Sequence, residues 1–201
     1  DPYLAGKLGA NFIEQAKNYG IGTSLKHFAC NNQEYKRFSS NSILDERTLR
    51  EIYLTAFEIA VKEGKPETVM CAYNKINGTY CSNNIKLLTN ILRREWGYEG
   101  MVVTDWGAMN NRIKAFRAGC DLAMPGGSAY MEKEAYEAVS VGILDENLVN
   151  QSVDRILSMV LKAKKTLEQT HSYDIEKHHE LARHAAEQSA VLLKNIDHIL
   201  P

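Results

Sequence analysis

The sequence predicts an α/β fold, and three observations lead to this prediction. Short apolar runs rich in β-branched residues alternate with longer segments whose apolar residues recur every three or four positions. Four such strand–helix units follow one another, which is typical of a parallel sheet. Three of the strands lead directly into polar side chains, as the strands of (β/α) barrels do. Four strands are about half of a barrel, so we expect an incomplete TIM-like barrel.

A doubly wound sheet is the alternative architecture for the same alternation of strands and helices. Such sheets bind dinucleotides at a glycine-rich turn after the first strand. No strand of this sequence is followed by a turn of that kind, which favours the barrel.

The composition limits the classes of function. Hydrophobic residues make up 44% of the 201 positions and charged residues 24%, which indicates a globular chain with a large core. With 24 basic and 25 acidic residues the net charge is −1, so nothing in the charge favours a nucleic acid or an anionic membrane as partner. No apolar run approaches the roughly 18 residues of a membrane span. Because the chain starts at Asp1 and ends in an apolar segment, we expect it to be a piece of a longer protein.

The cysteines stand at positions 30, 71, 81 and 120, and no two of them form a CxxC pair. We expect buried free thiols in a reducing compartment, which favours the cytoplasm. A disulfide between Cys71 and Cys81 is the alternative.

The expected elements follow from caps, breakers and apolar periodicity. Asp1 and Pro2 are typical of a helix start, and Asp45, Ser82 and Asp145 are expected to cap later helices. Strands are expected at 21–28, 68–74, 101–104 and, more weakly, 120–125. Helices are expected from Pro2 to Gly20 and at 46–63, 82–97, 109–118, 130–141, 145–161 and 175–188, with a polar loop at 31–42, a turn at 77–78 and the start of another strand at 190–193.

The three strand ends carry side chains that can bind or react. They are Lys26 and His27, Tyr73 and Asn74, and Asp105 and Trp106. Because parallel strands end at the same edge of a sheet, these side chains are expected to converge on one site. The alternative for Asp105 alone is that it caps the following helix.

The chemistry that this set suggests is that of a nucleophilic carboxylate in glycoside hydrolysis. Lys26 and His27 would favour the ionised form of Asp105. An indole offers a flat apolar surface to a sugar ring, and lysine, histidine and tyrosine supply donors for vicinal hydroxyls.

Five blocks of sequence carry a more specific pattern. They are KHF at 26–28 with Asn32 and Glu34 behind it, VMCAYNKING at 69–78, WGYEG at 96–100 running into VVTDWG at 102–107, CDLAMPG at 120–126, and SAVLLKNIDHIL at 189–200. In this order they resemble the β-glucosidase branch of glycoside hydrolase family 3 over nearly the whole chain. The segment 29–34 lacks the glycine- and histidine-rich loop of the N-acetylglucosaminidase branch.

The resemblance implies roles for five residues. Asp105 is similar to the catalytic nucleophile of the family, and Lys26 and His27 to the pair that hydrogen-bonds sugar hydroxyls. Tyr73 resembles the tyrosine near the nucleophile and Trp106 a residue that lines the sugar subsite. The implied enzyme is a retaining glycosidase that releases a terminal β-linked sugar, glucose first of all, without a cofactor or a metal.

The resemblance also implies a division of the chain and missing parts. Residues 1–168 would be the second half of the barrel, and 169–201 a linker helix and the start of the next domain. The acid/base glutamate of the family lies in that second domain, and a further sugar-binding carboxylate in the first barrel strands. Within this chain, Glu34 and Asp121 are candidates for the acid only by elimination. Because the acid/base glutamate is expected in the missing domain, we expect this chain alone to be inactive.

Other interpretations are set beside these. His178, His179 and His184 lack metal-site spacing and are expected at the surface, and Glu34 and Arg37 are expected to form a salt bridge that shapes the loop. A catalytic Cys–His pair formed by Cys30 and His27 is a further, less favoured alternative. The rival functions are a lyase that forms a Schiff base on Lys26 and a sugar-binding or assembly fragment without catalysis.

Overall fold

The computed structural model describes residues 1–168 and 172–198. The chain divides into two compact units, Asp1–Leu167 and Glu168–Pro201. The larger unit alternates helices with strands. Its helices are α1 (Pro2–Asn18), α2 (46–64), α3 (Lys86–Glu95), α4 (Arg112–Ala118), α5 (Ala129–Ser140) and α6 (Glu146–Leu167). Its strands are β1 (Ser24–Phe28), β2 (Asn41–Ser42), β3 (Thr68–Cys71), β4 (Lys75–Ile76), β5 (Thr79–Tyr80) and β6 (Met101–Thr104).

Two of the helices contain the wider turns of a π-helix. In α2 these turns occupy Leu49–Leu54 and Ala60–Gly64, and in α3 they run from Lys86 to Glu95. A short 3₁₀ turn, Cys81–Asn83, precedes α3.

The central sheet is parallel, with the order β1-β3-β6, as expected of βα units. Thr68 of β3 lies opposite Ser24 of β1 and opposite Met101 of β6. The register of β1 changes between Leu25 and Phe28, and the predicted site residues Lys26 and His27 lie in this irregular stretch. The fold is therefore α/β, as predicted.

The predicted fourth strand at 120–125 is wrong except for one bridge. Leu122 pairs with Val103 in parallel, and no strand forms on either side of that bridge. The physical reason is that the Asp121 side chain takes the next hydrogen bond along the edge, since its Oδ2 accepts from the Val102 amide at 2.7 Å.

The helix starts show which caps operate. Asp1 Oδ1 accepts from the Leu4 amide at 3.0 Å and Asp45 Oδ1 from the Thr48 amide at 2.7 Å, so both predicted caps are confirmed. The predicted cap at Ser82 is wrong, because Asn84 Oδ1 accepts from the Leu87 amide at 3.0 Å instead.

Two predicted bounds also change. The helix expected from 109 begins at Arg112, because Asn111 Oδ1 accepts from the Lys114 amide at 2.8 Å and caps it there. The strand expected at 21–28 begins only at Ser24.

A small second sheet, β2-β4-β5, lies beyond the end of β3. The turn predicted at 77–78 is confirmed, since Asn77 and Gly78 join β4 and β5 with φ of 48° and 88°. The strand predicted at 68–74 is wrong beyond Cys71, where the chain leaves the central sheet. The predicted loop at 31–42 likewise ends in β2, which pairs with β4.

The main core lies between the central sheet and the helices packed on it. Phe28 is fully buried, and its ring packs against Phe57 with centroids 5.1 Å apart and against Trp96 at 5.8 Å. A second apolar cluster joins α4 to α5 through Phe116, Ala135, Ala138 and Leu144.

All four cysteines are buried and free, which confirms the thiols and rules out the Cys71–Cys81 disulfide. Burial raises the pKa of Cys30 and of Cys81 to about 12, so both thiols are protonated at neutral pH.

The smaller unit contains α7 (Ile175–Ser189), which Asp174 caps, and a 3₁₀ turn at Ile196–His198. His178, His179 and His184 are exposed on α7, as predicted. The strand expected at 190–193 is wrong, because this stretch is irregular. Positions 169–171 of the predicted linker, and 199–200 of the last sequence block, lie outside the described residues. Among the helices of the described residues, none has the length and apolarity to cross a bilayer.

Candidate functional site

The carboxyl ends of β1, β3 and β6 bring together an acid, a base and two aromatic side chains. His27 Nε2, at the end of β1, lies 3.3 Å from Asp105 Oδ2, which follows β6. The Asp105 side chain is only 13% exposed, while that of His27 is 36% exposed. A protonated His27 would therefore form an ion pair with Asp105 across the end of β3.

The backbone of Asp105 is held by its neighbours in the sheet. Its amide donates to the Cys71 carbonyl at 3.2 Å, and its Oδ1 accepts from the Trp106 amide at 2.6 Å. The alternative that Asp105 caps the next helix is wrong, since α4 begins at Arg112 with Asn111 as its cap. One carboxylate oxygen is thus fixed locally and the other faces His27.

Tyr73 follows β3, the strand that lies between the strands of His27 and Asp105. Its hydroxyl donates to the Trp106 carbonyl at 3.0 Å, and the residue is 5% exposed. Burial, together with the nearby Asp105 carboxylate, raises the pKa of Tyr73 above its usual value of 10.0. Its hydroxyl therefore stays protonated and acts as a donor at neutral pH.

The loop after β1 covers the ring of Tyr73. The Arg37 guanidinium carbon lies 4.5 Å from the ring centroid of Tyr73, and the Phe38 ring centroid lies 4.4 Å from it. Arg37 Nη1 donates to Glu34 Oε2 at 2.8 Å, so the predicted salt bridge is confirmed. Sequence reasoning assigned Arg37 to that bridge alone and missed its stacking on Tyr73, for which no local pattern gives a signal.

Lys26 and Trp106 are exposed, and in the chain they are the direct neighbours of His27 and Asp105. Trp106 is 57% exposed, so its indole is free to form a flat contact. Lys26 is also exposed, and its amine has no hydrogen-bond or ion-pair partner within residues 1–168 and 172–198. Asn74 turns away from the site, because its buried amide donates to the carbonyls of Ala29 and Lys75.

The other candidates for chemistry are occupied elsewhere. The Asp121 carboxylate has no exposed surface and is bound by Arg93 and Arg155, so it cannot meet a substrate. Glu34 lies in the exposed loop with Arg37. Cys30 is unsuited to a Cys–His pair because of its raised pKa. In the described ranges, no three His, Cys, Asp or Glu side chains are grouped to hold a metal ion.

A cavity of about 820 Å³ lies at the opposite, amino ends of β3 and β6. Glu67, Gly100 and Met101 line it, together with residues of α6 and the end of α2. None of the predicted site residues lines this cavity, so the chemistry of the strand ends and the large concavity are separate features of the fold.

Comparisons with known proteins identify the family of this chain. Residues 1–159 match the family model described as the glycosyl hydrolase family 3 N terminal domain. The whole chain is 50% identical to thermostable beta-glucosidase B of Acetivibrio thermocellus, of which it covers 27%, and 41% identical to an exo-alpha-(1->6)-L-arabinopyranosidase of Bifidobacterium longum, of which it covers 26%.

A solved structure shows the same fold. The crystal structure of the GH3 beta-glucosidase of Bifidobacterium adolescentis superposes with a TM-score of 0.91 at 42% identity, over 100% of this chain and 30% of that one. The chain thus spans between about a quarter and a third of the length of these relatives. On the family match and these identities, the chain belongs to glycoside hydrolase family 3, and its residues 1–159 match the N-terminal domain of that family.

Proposed function

We propose that this chain supplies the nucleophile and part of the sugar subsite of a retaining glycoside hydrolase. The observation that carries the proposal is the pairing of Asp105 with His27 at 3.3 Å, at the strand ends of a family 3 domain. A largely buried carboxylate with one oxygen held by a backbone amide is oriented for attack. His27 Nε2 faces the other carboxylate oxygen, so both oxygens of the proposed nucleophile have a neighbour that orients them.

In the proposed mechanism Asp105 attacks the anomeric carbon and forms a covalent glycosyl ester while the bond to the aglycone oxygen breaks, and the acid/base from elsewhere in the longer protein protonates that leaving oxygen. Water, deprotonated by the same acid/base, then hydrolyses the ester and releases the sugar. Lys26 and His27 donate to the hydroxyls of the sugar. Trp106 lies against the apolar face of the ring. Tyr73 acts through the Trp106 carbonyl, to which its hydroxyl donates, and so fixes the peptide next to the nucleophile.

We propose that residues 1–168 form about the second half of a TIM-like barrel and that 169–201 lead into a second domain. The parallel order β1-β3-β6 with a further bridge to Leu122 agrees with consecutive barrel strands. A retaining mechanism needs a second carboxyl about 5–5.5 Å from the first. Neither Glu34 nor Asp121 suits this role, so the acid/base would come from elsewhere in a longer protein, and this chain alone would be inactive.

The substrate class is a glycoside with a terminal sugar. Relatives named beta-glucosidases favour β-linked glucose. Two relatives at 41% and 42% identity carry the name exo-alpha-(1->6)-L-arabinopyranosidase, and this makes an α-L-arabinopyranoside the second candidate. Rates on the aryl β-glucoside and the aryl α-L-arabinopyranoside, measured side by side, decide between the two.

The experiment that tests the nucleophile is covalent trapping. The longer protein is incubated with a 2-deoxy-2-fluoro-β-glucoside, its intact mass is measured, and the label is mapped by peptide digestion. We expect one glycosyl adduct on Asp105, and none in Asp105→Asn, which keeps the shape of the side chain without its nucleophilicity. An adduct on another carboxylate, or no adduct in a folded protein, would exclude the proposed role.

Nothing in the geometry favours the lyase that would use Lys26. A Schiff-base lysine typically lies desolvated in an apolar pocket, whereas Lys26 is exposed to solvent. Borohydride reduction in the presence of a carbonyl compound would leave a stable adduct on Lys26 if that alternative were correct. Binding of a sugar without turnover would favour the non-catalytic alternative.

A further inference from the structure

The buried carboxylate of Asp121 accepts four hydrogen bonds beside the strand that precedes Asp105. Its Oδ2 accepts from the Val102 amide at 2.7 Å and from Arg93 Nη2 at 2.8 Å. Its Oδ1 accepts from Ser152 Oγ at 2.9 Å and from Arg155 Nη1 at 2.8 Å. Both oxygens are thus occupied by donors from three different elements, namely β6, α3 and α6.

This carboxylate stands where a neighbouring strand would stand. In the bridge between Val103 and Leu122, the Leu122 amide donates to the Val102 carbonyl and the Leu122 carbonyl accepts from the Thr104 amide. A parallel strand would continue with a carbonyl that accepts from the Val102 amide. The Asp121 side chain accepts that bond instead, so it completes the edge of the sheet at the start of β6.

The same replacement occurs at the other end of β6. The Met124 amide donates to Thr104 Oγ1 at 2.9 Å, and the Met124 carbonyl accepts from the Gly107 amide at 2.8 Å. The segment 121–124 therefore runs beside the whole of β6 and past Asp105, although it forms no strand. Asp121 ties the first residue of that segment to the helices.

The ties to the helices are buried and charged. The Arg93 side chain is 11% exposed, and it also donates to the carbonyls of Gly100 and Gly119, which flank β6 and segment 121–124. Arg155 reaches the same carboxylate from α6, with 22% of its side chain exposed. Removing the Asp121 charge would leave two partly buried guanidinium groups near each other without their shared counterion.

We propose that Asp121 is a positioning residue for the nucleophile: it fixes β6 against α3 and α6 and so holds Asp105 at its place opposite His27. The proposal rests on the proposed role of Asp105. Asp121 touches no substrate, since its side chain has no exposed surface. Its effect is therefore expected in the rate of the covalent step and not in sugar binding, because a small displacement of a reacting group can slow a reaction about 100-fold.

The test compares three variants in the longer protein. Asp121→Asn keeps the size of the side chain and removes its charge. Ser152→Ala removes one of the four bonds and is the milder change, which covers the case in which Asp121→Asn fails to fold. Leu144→Ala is the control, because it opens a cavity in the cluster between α4 and α5 without touching β6.

Two readouts are needed. The first is the rate of trapping by the 2-deoxy-2-fluoro-β-glucoside per folded molecule, with its saturation constant. We expect trapping about 100-fold slower in Asp121→Asn and about threefold to tenfold slower in Ser152→Ala, with the saturation constant changed less than about threefold. Leu144→Ala should trap at the wild-type rate. The second readout is amide hydrogen exchange in the peptide 100–107. We expect it to be faster in Asp121→Asn and Ser152→Ala than in the wild type, and unchanged in Leu144→Ala.

The outcomes separate the inference from the proposed function. If the wild type is labelled on Asp105 and the folded Asp121→Asn or Ser152→Ala variant is labelled at the same rate, the positioning role is overturned and the nucleophile stands. Equal slowing in Leu144→Ala would also overturn it, because general destabilisation would then explain the effect. If the wild type is not labelled, the proposed role of Asp105 as nucleophile is overturned. If amide exchange in peptide 100–107 of Asp121→Asn and Ser152→Ala equals that of the wild type, the claim that Asp121 fixes β6 is overturned.

Discussion

The change Tyr73→Phe tests whether the hydroxyl of this residue orients the nucleophile. It removes one oxygen and keeps the ring on which Arg37 and Phe38 pack, at 4.5 and 4.4 Å. The Trp106 carbonyl loses a donor at 3.0 Å. Because Tyr73 is only 5% exposed, water does not readily replace it.

The size of the effect follows from that lost bond. Leaving the part-buried Trp106 carbonyl without its hydrogen bond costs about 1–3 kcal/mol. Trp106 directly follows Asp105, so we assign this loss to the orientation of the nucleophile. At about 1.4 kcal/mol for each factor of ten, trapping by the fluoroglucoside should be about 5-fold to 150-fold slower. The saturation constant should change little, because the change leaves Lys26 and Trp106, the residues proposed to contact the sugar, in place.

The control and the pH dependence make the prediction sharp. Tyr136→Phe makes the same chemical change at a side chain that is 75% exposed on α5, and it should have no effect. Since the pKa of Tyr73 is raised above 10.0, the phenol remains a donor in the wild type, and the ratio of wild-type to Tyr73→Phe rates should be constant between about pH 5 and pH 9. A folded Tyr73→Phe protein that traps within about twofold of the wild-type rate would refute the reasoning.

Three further outcomes are expected. Gly6→Ala should destabilise the chain by about 1–3 kcal/mol in urea unfolding, because the added Cβ would lie 2.9 Å from Ile59 Cβ. Gly9→Ala, in the same helix, meets nothing closer than 3.8 Å and should stabilise the chain by about 0.5–1 kcal/mol. The opposite order of stabilities would show that α1 packs differently. Hydrogen bonds from Arg50 lower the pKa of Glu95, so their contribution is present above pH 4.5 and lost below it. Arg50→Gln should therefore cost less than about 1 kcal/mol at pH 7, since the pair is exposed, and the difference should shrink toward pH 3; a pH-independent difference would exclude the ion pair as its cause. The purified 201 residues should release no phenol from an aryl β-glucoside, and measurable turnover would contradict the proposed need for a second domain.

Features set by short stretches of sequence could be predicted. Asp1 and Asp45 cap helices because a carboxylate at that position accepts from amides only three residues ahead. The strand before Asp105 follows from four consecutive buried residues, Met101–Thr104. The convergence of His27, Tyr73 and Asp105 follows from the parallel order of their strands, since the ends of such strands share one edge.

Features that depend on distant partners could not be predicted. Asp121 appeared as a candidate acid because its partners, Val102 and Arg155, lie 19 and 34 residues away along the chain. The strand expected at 120–125 was wrong for a related reason. The Asp121 side chain accepts the hydrogen bond from the Val102 amide that a backbone carbonyl of a strand would accept. The stacking of Arg37 on Tyr73 is equally long-range. The two-residue strands of the small sheet are too short for any apolar periodicity to indicate them.

Because all four cysteines are buried, the folded chain should react little with thiol-labelling reagents. Each is at most 6% exposed, and the raised pKa of Cys30 and Cys81 keeps those sulfurs from reacting as thiolates. A cysteine placed at an exposed position such as Tyr136 would then carry a fluorophore by itself, without removal of the native ones. Slow alkylation of the four native cysteines by a mild reagent would conversely measure how often the core opens at each of these residues. That measurement does not require an activity assay.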